Sequence, residues 1–314
     1  MWFRCPLDWL KHRLYQVVEF VWAFLLSISR IFIWKEGTFS KWKTDGKARI
    51  LIVSPHPDDE SIGCGGVIQL HKTAGDRVTL IEVTDGSASR ANGLSPQQMR
   101  ATRKGEVEQV STLLGIDHVV FLAFPEGTWH DRELADVLTR IMESEQPDII
   151  YTPSCFDYHP EHQKVATVLA SVLSELSWAP IVRVYEIHVP LTPILVNVMA
   201  DISGVSHAKQ NILGMYHSQA DALRPIERHL RYTGILYGLK AGVEVFIELS
   251  SQQFFLFNQT CLDLIRNTRL RRILPRPFSD LFVYFFGRKI RKELRRALQE
   301  GGRNQAACKL QESV

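Results

Sequence analysis

Two clusters of histidines and carboxylates in this chain could carry out chemistry. The first runs from Pro55 to Glu60 and reads PHPDDE, and the second runs from Asp157 to His162 and reads DYHPEH. Imidazole and carboxylate groups are good ligands for a divalent metal such as Zn²⁺. Because Asp58 and Asp59 are adjacent, their side chains point in different directions, so one could bind a metal while the other reaches a water on that metal. Taken alone, each cluster could also be a polar turn that caps a helix.

Both clusters lie between a predicted strand and a predicted helix. The apolar run from Ile50 to Val53 precedes the first cluster, as expected for a strand buried on both faces of a parallel sheet. A second apolar run, residues 148–152, precedes the second cluster, and Pro160 suits the first turn of the helix that follows. In open α/β sheets, ligands bind at the carboxyl ends of the strands. We therefore expect the two clusters to face each other at one edge of a sheet.

The rest of the chain alternates between strand and helix patterns. Further strands are predicted at residues 77–83, 118–123, 181–189 and 243–249, and helices at residues 95–114, 132–145, 165–177, 205–216 and 220–239. This alternation predicts an α/β fold of three-layer, Rossmann-like type, with a mostly parallel sheet, helices on both faces, and helical N- and C-terminal extensions. The predicted segments are an apolar N-terminal extension at 1–47, a catalytic domain at 48–250 and an aromatic and basic extension at 251–314. The apolar stretch 190–203, which holds two prolines, is expected to be a lid or a hydrophobic surface loop.

The two clusters resemble the signature motifs of the PIG-L/LmbE-like family of zinc-dependent N-acetylglucosaminyl deacetylases. The family's first motif is (A/P)-H-P-D-D-E and its second is H-P-(D/E)-H, and both occur here in order, about a hundred residues apart. The resemblance covers roughly Ala48 to Leu249. Weaker matches lie at Val83 to Gly86, Arg103 to Glu106 with Leu114 and Gly115, Phe124 to Gly127, and Ser218 with Gln219.

The resemblance implies a role for each central residue. His56, Asp59 and His162 would bind the metal, Zn²⁺ or another divalent ion such as Fe²⁺, and leave one position open. Asp58 would be the general base that takes a proton from the metal-activated water. His159 would stabilise the oxyanion and help to protonate the leaving amine.

Three more residues are candidates for supporting roles. Glu161 or Asp157 could orient His159, although the family usually has Asp where Glu161 stands. The loop at 84–94 is expected to leave the same sheet edge as His56 and to cover the pocket. Arg90 in that loop could bind a sugar or phosphate oxygen, or could equally be a solvated loop charge.

The implied reaction removes the acetyl group from an N-acetylglucosamine-type sugar and gives an amino sugar and acetate. Alternatives are deacetylation of a small soluble GlcNAc glycoside, hydrolysis of another amide or ester, and a non-catalytic protein that binds metal or glycan. Dinucleotide binding at Gly63 to Gly66 is disfavoured, because the spacing misses G-x-G-x-x-G and the neighbouring carboxylates would repel a pyrophosphate.

Charge is unevenly distributed along the chain. The net charge is +3, yet residues 266–309 hold thirteen Lys or Arg against three Asp or Glu, so the remainder is mildly acidic. Aromatic-rich stretches at 254–257 and 281–286 adjoin the basic clusters, a pattern that suits the surface of an anionic membrane leaflet. Nucleic-acid binding is not expected, because no recognition motif accompanies the charge.

The N-terminal extension and the cysteines bear on location. The uninterrupted apolar run that follows Glu19 is about a dozen residues, short of the ~20 that span a bilayer. We expect a helix that lies in a membrane interface or packs on the body, with a weak spanning helix as the alternative.

Five cysteines without CxxC spacing indicate reduced thiols, with Cys64 and Cys155 buried for structural reasons. These patterns predict a cytoplasmic protein at the membrane's cytoplasmic face, acting on a lipid-linked or membrane-proximal sugar; they give no indication of oligomeric state.

Overall fold

The structure is a computed structural model of the 314-residue chain, and it describes residues 6–32, 39–89, 91–157, 159–239, 242–267 and 288–299. The strands of this part are β1 (Ser40–Lys41), β2 (Arg49–Ser54), β3 (Arg77–Thr84), β4 (His118–Phe124), β5 (Ile149–Pro153), β6 (Ile181–Tyr185), β7 (Val198–Asp201) and β8 (Val243–Ser250). The helices are α1 (Pro6–Phe32), α2 (Asp59–Ala74), α3 (Pro96–Leu114), α4 (Asp131–Glu145), α5 (Pro160–Glu175), α6 (Thr192–Leu195), α7 (Ser206–Gly214), α8 (Ala220–Tyr237), α9 (Ser251–Asn267) and α10 at residues 288–299.

The described strands form one eight-stranded sheet in the order β1-β7-β8-β6-β5-β2-β3-β4. β8 runs antiparallel to both of its neighbours, and the other neighbouring pairs are parallel. From β2 the chain first builds outward through β3 to β4, and it later returns to the other side of β2 with β5. The strand order therefore reverses beside β2, and the carboxyl ends of β2 and β5 lie next to each other.

The residues of β2 alternate between two apolar layers. Leu51 and Val53 belong to the core that includes α4, α5 and α9, whereas Ile50 and Ile52 belong to the core that includes α2, α3 and α7. All four side chains are buried. The predicted three-layer fold with a mostly parallel sheet is confirmed.

The segment 190–203 is not the predicted lid or surface loop. It contains α6 and β7, and its apolar side chains, Leu191 and Val198 among them, are buried. β7 pairs parallel with β1 and antiparallel with β8, so the apolar composition reflects a place inside the sheet. β6 also ends at Tyr185, four residues before the predicted end of that strand.

α1 packs on the body of the protein with one face and exposes apolar side chains on the other. Trp22 and Leu26 are buried in the core, and Glu19 pairs with Arg228 and Arg231 of α8 at 3.1 and 3.0 Å. The exposed apolar side chains of this helix are Val17, Phe20, Val21, Phe24, Leu25, Ile28 and Ile31. None of the helices in the described ranges has the length and apolar character needed to cross a membrane.

The two described helices that follow β8 contribute to the core. Phe254 and Phe257 of α9 are fully buried, so the prediction that this aromatic stretch faces a lipid surface is wrong for these two side chains. α10 inserts Ile290 and Leu294 into the same core. The predicted aromatic and basic stretches within 268–287 lie outside the described residues.

Arg291 of α10 holds two loops at the carboxyl edge of the sheet. Its side chain is fully buried, its Nε donates to the carbonyl oxygen of Pro190 at 3.1 Å, and its guanidinium lies 4.9 Å from the centre of the Phe156 ring. Phe156 follows β5 and Pro190 follows β6. α10 therefore braces the loops after both strands.

A buried chain of hydrogen bonds joins the end of α2 to the sheet. His71 Nδ1 lies 2.5 Å from Asp76, and His71 Nε2 lies 3.0 Å from the hydroxyl of Tyr151. The Tyr151 oxygen also accepts hydrogen bonds from Trp42 at 2.9 Å and Arg183 at 2.8 Å, so its own proton is directed to His71. Burial lowers the pKa of His71 to about 4 even though Asp76 opposes this shift. The ring is therefore neutral, accepts at Nε2 and donates from Nδ1.

His71→Gln should destabilise the fold by about 1–3 kcal/mol, because Asp76 loses the buried donor at Nδ1. As the pH falls from 6.5 to about 4, the unfolded chain protonates this imidazole before the folded chain does, so wild-type stability decreases through that window. The loss caused by the substitution should therefore be larger at pH 8 than at pH 5, as measured by urea unfolding. His207→Gln, at an exposed position on α7, is the matched control. An equal loss at both pH values would contradict a neutral His71.

Candidate functional site

The pairing of β2 with β5 brings the two sequence clusters together. The register runs from Ile50 opposite Ile149 to Ile52 opposite Tyr151. Both strands point the same way, so the loops that follow them leave at one edge of the sheet. This edge is the place where the strand order reverses.

Three atoms from the two clusters converge on one point. His56 Nδ1 lies 3.0 Å from Asp59 Oδ2 and 3.2 Å from His162 Nε2, and the last two atoms are 3.1 Å apart. Ligands at 2.0–2.1 Å from a tetrahedral Zn²⁺ would be separated by about 3.3 Å. All three side chains are almost completely buried. The three atoms therefore fit a divalent ion after movements of only a few tenths of an ångström.

The turn that presents the first cluster is strained. Asp58 has a φ of 133°, a conformation that L residues rarely adopt and that costs about 1–3 kcal/mol. Its backbone N–H donates to Glu60 at 3.1 Å, and the Arg103 guanidinium lies 3.1 Å from Asp58 Oδ1 and donates to the carbonyl oxygen of Pro57. These contacts hold the backbone in place and aim the Asp58 carboxylate at the cavity.

The pKa values of the two adjacent aspartates, Asp58 and Asp59, are shifted in opposite directions. Burial raises the pKa of Asp58 well above its ordinary value, and the Arg103 cation offsets this only in part. Burial acts in the same direction on Asp59, but His162 and His56 outweigh it and hold the pKa of Asp59 well below its ordinary value. Paired carboxylates whose pKa values are pushed apart are typical of an acid/base group beside a permanently charged one.

Asp157 contacts His162 and the backbone of His159. Its Oδ1 accepts the His159 backbone N–H at 2.9 Å, and its Oδ2 lies 3.3 Å from His162 Nδ1. Burial opposes ionisation of Asp157, but His188 and His162 outweigh it and hold the pKa of the carboxyl well below its ordinary value. Burial likewise lowers the pKa of His162, and Asp59 with Asp157 outweigh it and raise that pKa to about 10.

Glu161 does not orient the His159 ring, contrary to one of the predicted roles. It accepts hydrogen bonds from the Gly127 backbone N–H and from Trp129 Nε1, each at 2.6 Å, and so fastens α5 to the loop after β4. The His159 ring itself caps α5, because its Nδ1 accepts the Glu161 backbone N–H at 3.3 Å. Asp157 also reaches only the backbone of His159, so neither predicted carboxylate orients this ring.

A cavity of about 290 Å³ opens beside these side chains. Both clusters line it, together with Ala88 and Ser89 from the loop after β3 and Leu223 and Ile226 from α8. The loop at 84–94 thus borders the cavity as expected, while Arg90 lies outside the described residues.

Four residues of the cavity wall with charged, imidazole or amide side chains carry no predicted role: Arg103, Glu126, His188 and Gln219. Arg103, Glu126 and Gln219 fall within the weaker matches to the family, and that was the signal available for them. No local signal marks His188, which falls in a predicted strand.

Within the described ranges, two groups of side chains have ligand atoms within 4.8 Å of one another, namely His56, His159 and His162, and Asp157, His162 and His188. Cys64 and Cys155 are fully buried and belong to neither group.

The fold and the site place this chain among Rossmann-like α/β proteins with a His/Asp cluster at the reversal point of the sheet. Residues 51–173 match the family model of PIG-L, described as GlcNAc-PI de-N-acetylase. This match spans both motifs, and the resemblance to PIG-L seen in them is confirmed for that segment.

Two deacetylases are similar to this chain in sequence, and one solved structure shares its fold. The chain is 25% identical over 217 residues to diacetylchitobiose deacetylase of Thermococcus kodakarensis, a match that covers 62% of this chain and 79% of the relative. It is 27% identical over 159 residues to 1D-myo-inositol 2-acetamido-2-deoxy-alpha-D-glucopyranoside deacetylase of Mycobacteroides abscessus, with 41% of this chain and 57% of the relative covered. N,N'-diacetylchitobiose deacetylase of Pyrococcus horikoshii has the same fold, with a TM-score of 0.59 at 24% identity over 72% of this chain and 91% of that one.

Gly63→Ala should destabilise the protein by about 1–3 kcal/mol through overpacking. Gly63 lies in α2 just after the first cluster, and a Cβ there would meet the Tyr185 ring at 2.2 Å. Tyr185 cannot simply move away, because it is buried and its hydroxyl donates to the carbonyl oxygen of Val53 at 2.8 Å. Urea unfolding measures the effect. The control is Gly105→Ala in α3, where nothing lies within 4 Å of the added Cβ. There the higher helix propensity of Ala should raise the free energy of unfolding by about 0.5–1 kcal/mol. Equal effects of the two substitutions would contradict the close contact.

Proposed function

We propose that this chain is a metal-dependent N-deacetylase that removes the acetyl group from an N-acetylglucosamine-type compound. The observation that carries the proposal is the convergence of His56 Nδ1, Asp59 Oδ2 and His162 Nε2, with Asp58 beside them at the cavity. The substrate class is supported by the relatives, whose names specify deacetylation of diacetylchitobiose and of an inositol-linked 2-acetamido sugar.

The proposed metal ligands are His56, Asp59 and His162. Two imidazoles and one carboxylate suit Zn²⁺, which catalytic sites bind through three protein ligands, and the same set suits Fe²⁺. When bound, such an ion supplies a Lewis acid that polarises an amide carbonyl and makes water more acidic.

Asp58 is the proposed general base. It lies next to the ligands but is held apart from them by Arg103, which lies 3.1 Å from its Oδ1. Its raised pKa suits a group that takes a proton from the attacking water and keeps it until the amine departs. The same proton can then pass to the leaving nitrogen, so that the products are an amine and acetate.

His159 is the proposed stabiliser of the oxyanion. Its Nδ1 accepts the Glu161 N–H, so the neutral ring carries its proton on Nε2. Burial, followed by the nearby His162 and His56, lowers the pKa of His159 to about 3. A neutral imidazole of this kind donates a hydrogen bond to a developing negative charge but is a poor source of protons. We therefore assign protonation of the amine to Asp58 in preference to His159.

We further propose that the substrate is lipid-linked or membrane-proximal. The exposed apolar face of α1, which includes Phe20 and Phe24, is typical of a helix that lies in a membrane interface. α10 exposes Lys289, Lys292 and Arg296, charges that would favour an anionic leaflet. Cys64, Cys155 and Cys261 are free thiols, which suits the proposed location at the cytoplasmic face.

Asp58→Asn should lower kcat by about 10²–10⁴ while the protein keeps its metal, because only the proton acceptor is lost. Asn is the suitable replacement, since it tolerates a positive φ better than Ala does. His162→Asn should instead lose most of the bound metal. Acetate release from diacetylchitobiose and elemental analysis of the purified protein measure the two effects, with the exposed Asp136→Asn as the control.

Three results would count against these assignments. Normal turnover by Asp58→Asn would remove the base assignment, and full metal content in His162→Asn would remove this residue from the ligand set. A wild-type protein that binds metal but releases no acetate from any acetylated amino sugar would favour the non-catalytic alternative.

Replacing Phe20 and Phe24 together by Ser should abolish binding to vesicles, because the exposed apolar face of α1 would lose its two largest side chains. Co-sedimentation with vesicles of phosphatidylcholine and phosphatidylglycerol measures binding, and wild-type binding should increase with the anionic fraction. Thr112→Ala, at an exposed position on α3, is the control. A wild-type protein that stays in the supernatant with every vesicle would refute the membrane-proximal part and leave the deacetylase part standing.

A further inference from the structure

A third imidazole lies behind the two histidines of the second cluster. His188 follows β6, borders the cavity and keeps a quarter of its side chain exposed. Its ring is nearly parallel to that of His162, with centroids 5.2 Å apart and an angle of 20°. It is also nearly parallel to the His159 ring, at 6.1 Å and 18°. The His159 and His162 centroids are themselves 4.7 Å apart, so the three rings form one compact group that includes the proposed metal ligand His162.

Asp157 links His188 to His162. Its Oδ1 lies 3.2 Å from His188 Nδ1, and its Oδ2 accepts the His188 backbone N–H at 3.2 Å. The same Oδ2 lies 3.3 Å from His162 Nδ1, a buried atom that makes no hydrogen bond as the side chains stand. Since His162 Nε2 is the nitrogen that faces Asp59 and His56, His162 Nδ1 is the nitrogen that remains for Asp157.

We propose that His188 is a positioning residue that acts through Asp157 on His162, as the outer member of a His188–Asp157–His162 relay. The proposal rests on the proposed function, because it takes His162 to be a metal ligand. A metal-bound histidine usually donates its other N–H to a carboxylate, and that contact fixes the ring orientation and the ligand's basicity. Asp157 is buried, so its carboxylate needs donors of its own, and His188 supplies both a ring N–H and a backbone N–H.

The same three side chains could instead hold a second ion, because their ligand atoms lie within 4.8 Å of one another. The contacts favour the relay. Asp157 already accepts the backbone N–H groups of His159 and His188, which a cation would have to compete with. A second ion would also require His162 to bind metal through both of its nitrogens.

Two substitutions at His188 test separately the hydrogen bond that the ring donates and the space that the ring fills. In His188→Asn the side-chain amide nitrogen takes nearly the place of Nδ1 and can still donate to Asp157. His188→Phe keeps an aromatic ring beside His159 and His162 but loses the donor. We expect His188→Phe to weaken metal binding by about 10–100-fold, whereas His188→Asn stays close to the wild type. Competition with a chelator measures the dissociation constant for Zn²⁺, and the melting temperature of the metal-free protein reports on the fold. His207→Asn, on the exposed side of α7, is the control.

A double substitution tests whether His188 acts through Asp157. If it does, Asp157→Asn combined with His188→Phe should weaken Zn²⁺ binding no more than Asp157→Asn alone. Additive losses would overturn the relay, as would an unchanged Zn²⁺ affinity in His188→Phe. If His188→Phe fails to fold, His188→Ala, which also removes the donor, gives the same comparison alone and combined with Asp157→Asn.

Failure of this proposal can be told from failure of the proposed function. A wild-type protein that binds no divalent metal would refute the function itself. A wild-type protein that binds two equivalents of Zn²⁺, of which His188→Phe loses only one, would overturn the relay in favour of a second ion. One equivalent in the wild type, held more weakly by His188→Phe and rescued by His188→Asn, would support the relay.

Discussion

The parallel pairing of β2 with β5 is the constraint on which the site depends. The two His clusters are about a hundred residues apart in the chain, and only this pairing sets their loops side by side. A slip of one residue in register would turn every side chain of a strand to the opposite face. The alternating burial of Ile50 and Leu51 in separate cores excludes such a slip. The 3.0–3.2 Å distances between the converging atoms are therefore a result of how the core is packed.

Much of the fold and the centre of the site could be predicted from the sequence, because each rests on a local pattern. Strand ends followed by His-Pro turns are visible in the letters of residues 55–60 and 157–162. The segment 190–203 was misjudged, because a short strand buried within a sheet and an apolar lid have the same composition. The partners of Glu161 depend on how α5 meets the loop after β4, and those of Asp157 depend on its approach to the residues after β6; no local pattern encodes either. His188 was missed for the same reason, since only the pairing of β5 with β6 brings it beside Asp157.

Buried carboxylates are concentrated behind the cavity, and the surrounding residues make this arrangement tolerable. Glu60 accepts hydrogen bonds from Ser61 and Tyr216, as well as from the backbone of Asp58. Burial, reinforced by Glu60, raises the pKa of Glu82 well above its ordinary value, which favours the neutral acid at this position. The Arg103 cation, 3.1 Å from Asp58, offsets part of the negative charge of the cluster.

The contacts that Arg291 makes with the loops after β5 and β6 determine when, during translation, these loops are secured. Both His clusters have been synthesised by residue 162, whereas the guanidinium that secures the loops after β5 and β6 comes with α10. At a ribosomal rate of about 5–20 residues per second, this leaves on the order of 10 s between them. During that interval the nascent polypeptide carries every proposed ligand but lacks the support for the Phe156 and Pro190 loops. The proposed ligand geometry is therefore completed late in translation, after β8, the last strand of the described sheet, has been synthesised.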